Sequence, residues 1–283
     1  MGRGSGVAVP VRRGTVAVDG AELYYETRGA GRPVLLIQGG LSEAGTTEQI
    51  AEELARHYQV ISYDRRGLSR STVSGDDATA PTTMGTHADD AAALLAAVVA
   101  QPALVVGPSI GAVIGLYLAL RHPERVAMLV AHEPPMLSLV SDARQETGLA
   151  EVAELARHDV HAAIQHFVSF SGNEPGTAEA GAQAAPQVGD VEANLRRFFA
   201  HDFPAVRDAT VDTARLGSLS ASARIVPTGG EQSRGRWEYR CAERLADALD
   251  RPMLEMPGGH NGLVSHPWAG ASALGKLFTK PHP

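Results

Sequence analysis

Short, continuously apolar runs recur along this chain of 283 residues, and segments of helical composition separate them. Runs at 33–37, 60–63, 103–106 and 126–130 alternate with helical stretches at 48–57, 84–100 and 110–121. A strand buried on both faces has no polar alternation, so such runs read as interior strands. Parallel neighbours need a crossover, usually a helix, so the alternation predicts a mostly parallel sheet with helices on both faces. A hairpin precedes it, with strands at 15–18 and 22–26 around the Asp19–Gly20 turn. Asp89 and Asp90 are expected to favour the start of the helix at 84–100. The segment at 64–82 is rich in Gly, Ser, Asp and Thr and reads as a loop.

The rhythm stops at Met136 and resumes with a strand at 224–227, a helix at 237–249, a strand at 252–255 and a helix at 272–278. Between these lie helical stretches at 149–169 and 191–200, and a Gly-, Ala-, Pro- and Gln-rich linker at 171–190. The expected division is therefore a flexible N-terminus at 1–14, an α/β core at 15–135 and 220–283, and an inserted helical lid at 136–219.

Composition narrows the function. Hydrophobic residues make up 44% and charged residues 20%, which is ordinary for a folded chain and excludes wholesale disorder. The formal net charge of −7 argues against a nucleic-acid binder, which needs a basic face. No apolar run is long enough to span a bilayer, and the N-terminus lacks the apolar core of a secretory signal. With one cysteine, Cys241, neither an internal disulfide nor a cysteine-built metal cluster is available. The expected setting is a reducing cytoplasm, without a nucleic-acid or membrane partner. A homodimer is left open.

One segment carries chemistry. Gly107-Pro108-Ser109-Ile110-Gly111 fits G-x-S-x-G, with an apolar strand before it and an apolar helix after it. A sharp strand-to-helix turn holds its central serine out at the carboxyl edge of the sheet. The helix N-terminus there favours developing negative charge. Ser109 is thus the candidate nucleophile, with a tight turn holding an incidental serine as the alternative. A serine hydroxyl needs a base to remove its proton. His260, in Gly258-Gly259-His260-Asn261-Gly262, follows the last strand and so reaches the same edge. His158, His161 and His166 share a stretch whose spacing does not put all three on one tight face, so no metal site is expected there. A third group must orient the imidazole, and two carboxylates compete. Glu133 follows the strand at 126–130, and Glu231 follows the strand at 224–227.

Gln38-Gly39-Gly40, Asp64-Arg65-Arg66-Gly67-Leu68-Ser69, the Ser109 motif and Gly259-His260 together resemble the α/β-hydrolase fold family. The resemblance covers about 15–280 and is weakest over the insertion. It implies an α/β-hydrolase fold with a mostly parallel eight-stranded sheet, helices on both faces and an inserted lid. Two positions depart from the pattern. Gln38 stands where the family usually has His, and Ser233 stands where its acid usually lies. Some branches, the haloalkane dehalogenases and zearalenone lactonases among them, carry the acid after the sixth strand instead. Glu133 fits that location, and His132-Glu133 with Val264-Ser265-His266-Pro267 resembles the lactonases in particular. A dehalogenase would need an Asp in place of Ser109. The resemblance also implies backbone donors for an oxyanion at Ile110, after the nucleophile, and at Gly40. Asp64 and Arg65 are expected to organise the loop beneath the site.

Phe167, Phe170, Phe198, Phe199, Phe203, Met136 and Leu137 are available to line a pocket under the insertion, or to fill its own core. Nothing in the insertion resembles a phosphate or carboxylate clamp. The expectation is a serine hydrolase that cleaves a carboxylic ester or lactone of a small, uncharged, mainly apolar substrate, without a cofactor or metal. The alternatives are C–C bond hydrolysis, a cofactor-free lyase or dioxygenase, or a ligand-binding protein with a residual triad. The fold cannot choose among them.

Overall fold

The structure, a computed structural model, describes residues 9–75, 80–171, 176–183, 188–219 and 223–279. Its sheet contains β1 (Val11–Val18), β2 (Ala21–Arg28), β3 (Pro33–Leu36), β4 (Gln59–Tyr63), β5 (Thr72–Val73), β6 (Ala103–Pro108), β7 (Val126–His132), β8 (Arg224–Gly230) and β9 (Leu254–Met256). The order is β1-β2-β4-β3-β6-β7-β8-β9. From β4 onward every pairing is parallel, and β1, β2 and β5 are antiparallel additions at one edge. The two-residue β5, on β2, is a ninth strand that the loop-like composition of 64–82 concealed.

Alternate residues of a strand point to opposite faces. Leu35, Ile37, Val105 and Leu129 accordingly pack into one core, while Val34, Leu36, Leu104, Val106 and Val130 pack into the other. Helices α2 (Met84–Val98) and α3 (Ile110–Arg121) cover the first face, with Leu245 and Leu249 from late in the chain. The short α1 (Glu48–Leu54) contributes Ile50 and Leu54 to the second. Helix α2 begins at Met84 behind a Thr83 cap. Asp89 and Asp90 lie a turn further in and pair with Arg121 and Arg66, rather than serving the helix start.

Helices α4 (Ala143–Ala156), α5 (Val160–Ser171), α6 (Val191–Arg197), α7 (Phe203–Arg207) and α8 (Thr213–Ser218) separate β7 from β8. The stretch expected as one helix at 149–169 is two, because the Asp159 carboxylate accepts from the His161 and Ala162 amides and starts a new helix. Leu149, Val152, Phe198, Phe199 and Phe203 form a third apolar cluster within this layer. The chain returns through β8, α9 (Trp237–Ala248), β9, α10 (Gly262–Ser265) and α11 (Pro267–Thr279). Leu274 and Phe278 of α11 join the second core. Strand β1 starts at Val11 and pairs with Arg28, which corrects the expected flexible N-terminus over 11–14. Residues 1–8 lie outside the described residues. No helix among those described is long and apolar enough to cross a membrane.

One ion pair joins the sheet edge to the inserted layer. The side chain of Arg65, fully buried just past β4, donates to Asp202, which lies in a π-helical turn at Phe198–Asp202. The other Asp202 oxygen lies 3.0 Å from His87 Nε2 on α2. Burial opposes the Asp202 charge, but His87 and Arg65 prevail and hold its carboxyl well below the usual range. Removing one member of a buried pair leaves an uncompensated charge, at a cost of about 3–5 kcal/mol. Asp202→Ala is therefore expected to lower the urea midpoint by that equivalent. An unaltered midpoint would show that the pair contributes nothing to holding the layers together.

Candidate active site

Ser109 joins β6 to α3 with φ 54°, a positive value that non-glycine residues rarely adopt. Such a conformation costs of order 1–3 kcal/mol and persists only where its surroundings enforce it. The two motif glycines supply that enforcement. A Cβ on Gly107 would meet the Gly111 carbonyl oxygen at 2.2 Å, and one on Gly111 would meet the Ile37 oxygen at 2.2 Å. The elbow thus packs against itself and against the end of β3. The Ser109 amide donates to the His132 carbonyl at 2.9 Å, which ties the elbow to β7. Ile110 is the first residue of α3, whose leading amides have no partner within the helix.

Glu133 directly follows β7 with φ 50°, and its side chain is fully buried. Its Oε2 lies 2.8 Å from His260 Nδ1. Its Oε1 accepts from the Gly230 amide at 2.7 Å and from the Ser233 hydroxyl. Burial disfavours the charged form, but the hydrogen bond with His260, the neighbouring His132 and His260, and the Ser233 hydroxyl outweigh it. The carboxyl is held at about 2 and so is ionised near neutral pH. An ionised carboxylate only accepts, so His260 Nδ1 carries the hydrogen and the neutral ring leaves Nε2 free of one. Burial pushes the His260 pKa down, yet the Glu133 hydrogen bond and the fields of Glu238 and Glu133 raise it above the ordinary value. Glu231, the competing carboxylate, is exposed.

His132 behaves oppositely. Its Nε2 lies 3.2 Å from the Gly259 carbonyl, and its Nδ1 lies 3.1 Å from the Thr228 hydroxyl. A carbonyl only accepts, so Nε2 holds the hydrogen and Nδ1 accepts from Thr228. Burial pushes the His132 pKa down and keeps the ring neutral, where it braces the loop that carries His260.

Ser109 and His260 line one cavity of about 310 Å³. Gln38, Gly39, Gly40 and Ile110 also border it. Arg65 donates to the Gln38, Gly39 and Gly40 carbonyls, so this fully buried guanidinium fixes the loop expected to supply an oxyanion donor. Asp64 accepts from the Ala44 amide and from Arg70 on the same side. Leu149, Ile164, Phe167, Phe170, Phe198 and Phe203 supply apolar wall from the insertion. Phe199 and Met136 do not border this cavity. Phe199 packs in the insertion's own cluster, and Met136 lies fully buried against the first sheet face. Leu137 packs at the edge of the insertion cluster. Among the described residues no three His, Cys, Asp or Glu side chains converge as metal ligands. His158, His161 and His166 instead lie near Glu154, Glu192 and Glu151.

Ser233, His132 and Asp202 take parts in this architecture that sequence reasoning did not assign. The position of Ser233 was conspicuous, since it replaces the usual acid. Its hydroxyl now binds the carboxylate that stands in from the neighbouring strand. Asp202 gave no signal, because a lone Asp in a helical stretch reads as a solvated charge.

The sequence matches the family described as alpha/beta hydrolase fold over residues 32–278. The chain belongs to the α/β-hydrolase fold family. An uncharacterized hydrolase of Bacillus subtilis, YraK, is 34% identical over 258 residues, covering 90% of this chain and 92% of the relative. A putative carbamate hydrolase of Azorhizobium caulinodans, RutD, is 44% identical over 109 residues, covering 38% of this chain and 40% of the relative. Among solved structures, an alpha/beta hydrolase from Sphaerobacter thermophilus superposes with a TM-score of 0.68 at 28% identity, covering 94% of this chain and all of that one. A thermophilic esterase from Thermogutta terrifontis reaches a TM-score of 0.74 at 21% identity, covering 96% of this chain and all of that one, and shares the fold. This α/β hydrolase is thus a hydrolase by family.

Proposed function

We propose that this α/β hydrolase cleaves a carboxylic ester or lactone of a small, mainly apolar substrate through an acyl-enzyme on Ser109. The 2.8 Å contact between His260 Nδ1 and Glu133 Oε2, behind a cavity that Ser109 and His260 share, carries the reading. Neutral His260 takes the Ser109 proton on Nε2 as Oγ attacks the carbonyl carbon. The carbonyl oxygen becomes anionic, and the Ile110 and Gly40 amides are assigned to hold it. Collapse of the tetrahedral intermediate expels the alkoxide, which leaves as an alcohol with the proton held by His260. A water then loses a proton to His260 and attacks the acyl group, and collapse of this second tetrahedral intermediate releases the carboxylic acid as His260 returns the proton to Ser109 Oγ. Ionised Glu133 stabilises the imidazolium in both halves without becoming protonated.

The acid after the strand next to the nucleophile's, with Ser233 in the usual acid position, favours the lactonase-like branch over the commoner arrangement. The apolar cavity walls suit an aliphatic or aromatic acyl group. A carbamate, named for one relative, is an acyl carbonyl open to the same two-step chemistry. No observation favours C–C cleavage, a lyase reaction or pure ligand binding.

A panel of p-nitrophenyl acyl esters, aromatic and macrocyclic lactones and aryl carbamates tests the reading, together with mass analysis after an organophosphonate reagent. Turnover of esters or lactones and one phosphonyl adduct at Ser109 are expected. No turnover across the panel and an unmodified Ser109 would overturn it.

A further inference from the structure

A second cavity, of about 450 Å³, adjoins the first at His260. The two share Ser42, Thr46, His260, Asn261 and Val264, whereas Ser109, Gly40 and Ile110 border only the first. The carbonyl that Ser109 attacks, with its oxyanion, therefore belongs to the first chamber. The leaving oxygen collects its proton from His260, the one triad side chain that both chambers share.

The chambers differ in chemistry. Leu149, Ile164, Phe167 and Phe203 wall the first. Of the charged residues on its border, Arg207 pairs with Asp208, and Glu238 acts on His260. The second adds Gln183, Gln232, Arg236 and Ser265, and among the described residues Val264 is its only apolar side chain larger than alanine. One of its walls is a strap from the insertion, at 176–183, that belongs to no helix or strand. Several ties hold this strap in place. Glu179 accepts from the Trp268 and Ala269 amides at 3.0 and 3.1 Å, Gln49 bonds Gly181 and Gln183, and Gln232 donates to Thr177 at 2.8 Å. Asn261 stands at the passage between the chambers. Its backbone carbonyl accepts from Val264 and Ser265, while its side chain makes no capping bond. The exposed carboxamide thus keeps two donors and an acceptor for a ligand.

We propose that the second chamber holds the alcohol half of the substrate, with Asn261 bonding its hydroxyls, so that the preferred substrate is an ester of an apolar acid with a polyhydroxylated alcohol. This rests on the acyl-enzyme reading and deepens it. The acyl chain lies among the phenylalanines, and the alcohol extends past His260 into the polar chamber. A site built to bond hydroxyls discriminates against an alcohol that lacks them, because its polar groups are then left without partners.

The test varies the alcohol and keeps the acid. Glyceryl monohexanoate and n-propyl hexanoate are compared in kcat/KM with wild type and Asn261→Leu. Wild type is expected to favour the glyceryl ester. Asn261→Leu is expected to lower the ratio by about three- to tenfold, the loss of one neutral hydrogen bond. Differences in leaving-group reactivity, and any general change in His260, cancel when the two ratios are compared. The same ratio in both proteins would overturn the subsite. A second measurement needs neither the variant nor turnover. In calorimetry with wild type, the unreactive hexyl glyceryl ether should bind more tightly than hexyl propyl ether. Equal or weaker binding would refute the subsite. Tighter binding of the glyceryl ether, with no ester turned over, would instead refute the acyl-enzyme reading alone.

Discussion

Ser109→Ala is expected to lower kcat for ester hydrolysis by roughly 10⁴–10⁶-fold, with a residue of activity left by the oxyanion donors and substrate binding. Removing Oγ deletes the only protein atom that the proposed reaction bonds to the acyl group. The substitution takes away one small atom at a strained elbow, so the fold is expected to persist. Circular dichroism and the urea midpoint check this. KM should change far less than kcat, because the hydroxyl acts in the transition state rather than in holding the substrate. Activity within tenfold of wild type would remove Ser109 from the reaction.

Glu133→Gln is the second large effect, with kcat expected to fall about 10⁴-fold. The amide preserves the shape, but it can present N–H to His260 and thereby favour the wrong tautomer. The pH profile should shift as well. His260 acts as a base only when neutral, so kcat/KM falls as pH drops through its pKa. In wild type that pKa is raised above the ordinary histidine value by the Glu133 hydrogen bond and the nearby negative fields, against the pull of burial. Removing the anion lets burial dominate, so the acid limb of the residual activity should move to lower pH. Glu231→Ala, at an exposed site, should leave both rate and profile close to wild type. Equal and mild losses in the two variants would sink the assignment of Glu133.

The sheet was legible because its interior strands are apolar without alternation, and the elbow was legible because two glycines mark it. Gly107 and Gly111 meet carbonyl oxygens so closely that no larger residue fits, which is why the pattern is readable as letters. The choice between Glu133 and Glu231 was not legible in the same way. Both carboxylates follow strands that end at the same edge, and only burial and hydrogen-bond partners separate them. The helix break at Asp159 was missed because its flanking sequence keeps helical composition, and a capping carboxylate differs little from a surface one. The inserted layer hid most. Which of its phenylalanines face the cavity depends on the rotation of helices that pack mainly on one another. Phe198 borders the cavity while its neighbour Phe199 does not, and their composition is identical.

The Arg65–Asp202 pair has a consequence for how the inserted layer can move. The same guanidinium holds the Gln38–Gly40 carbonyls and the π-helical turn of the inserted layer. Pulling that turn away would strand a cation in the interior, directly against the loop assigned to the oxyanion. The inserted layer is therefore clamped at its 198–202 end. Any displacement of the inserted layer that preserves the pair keeps this end in place, so the layer and the oxyanion loop share a fixed point, beside the ties from Asn194 to Ser69 and from Asp142 to Arg240.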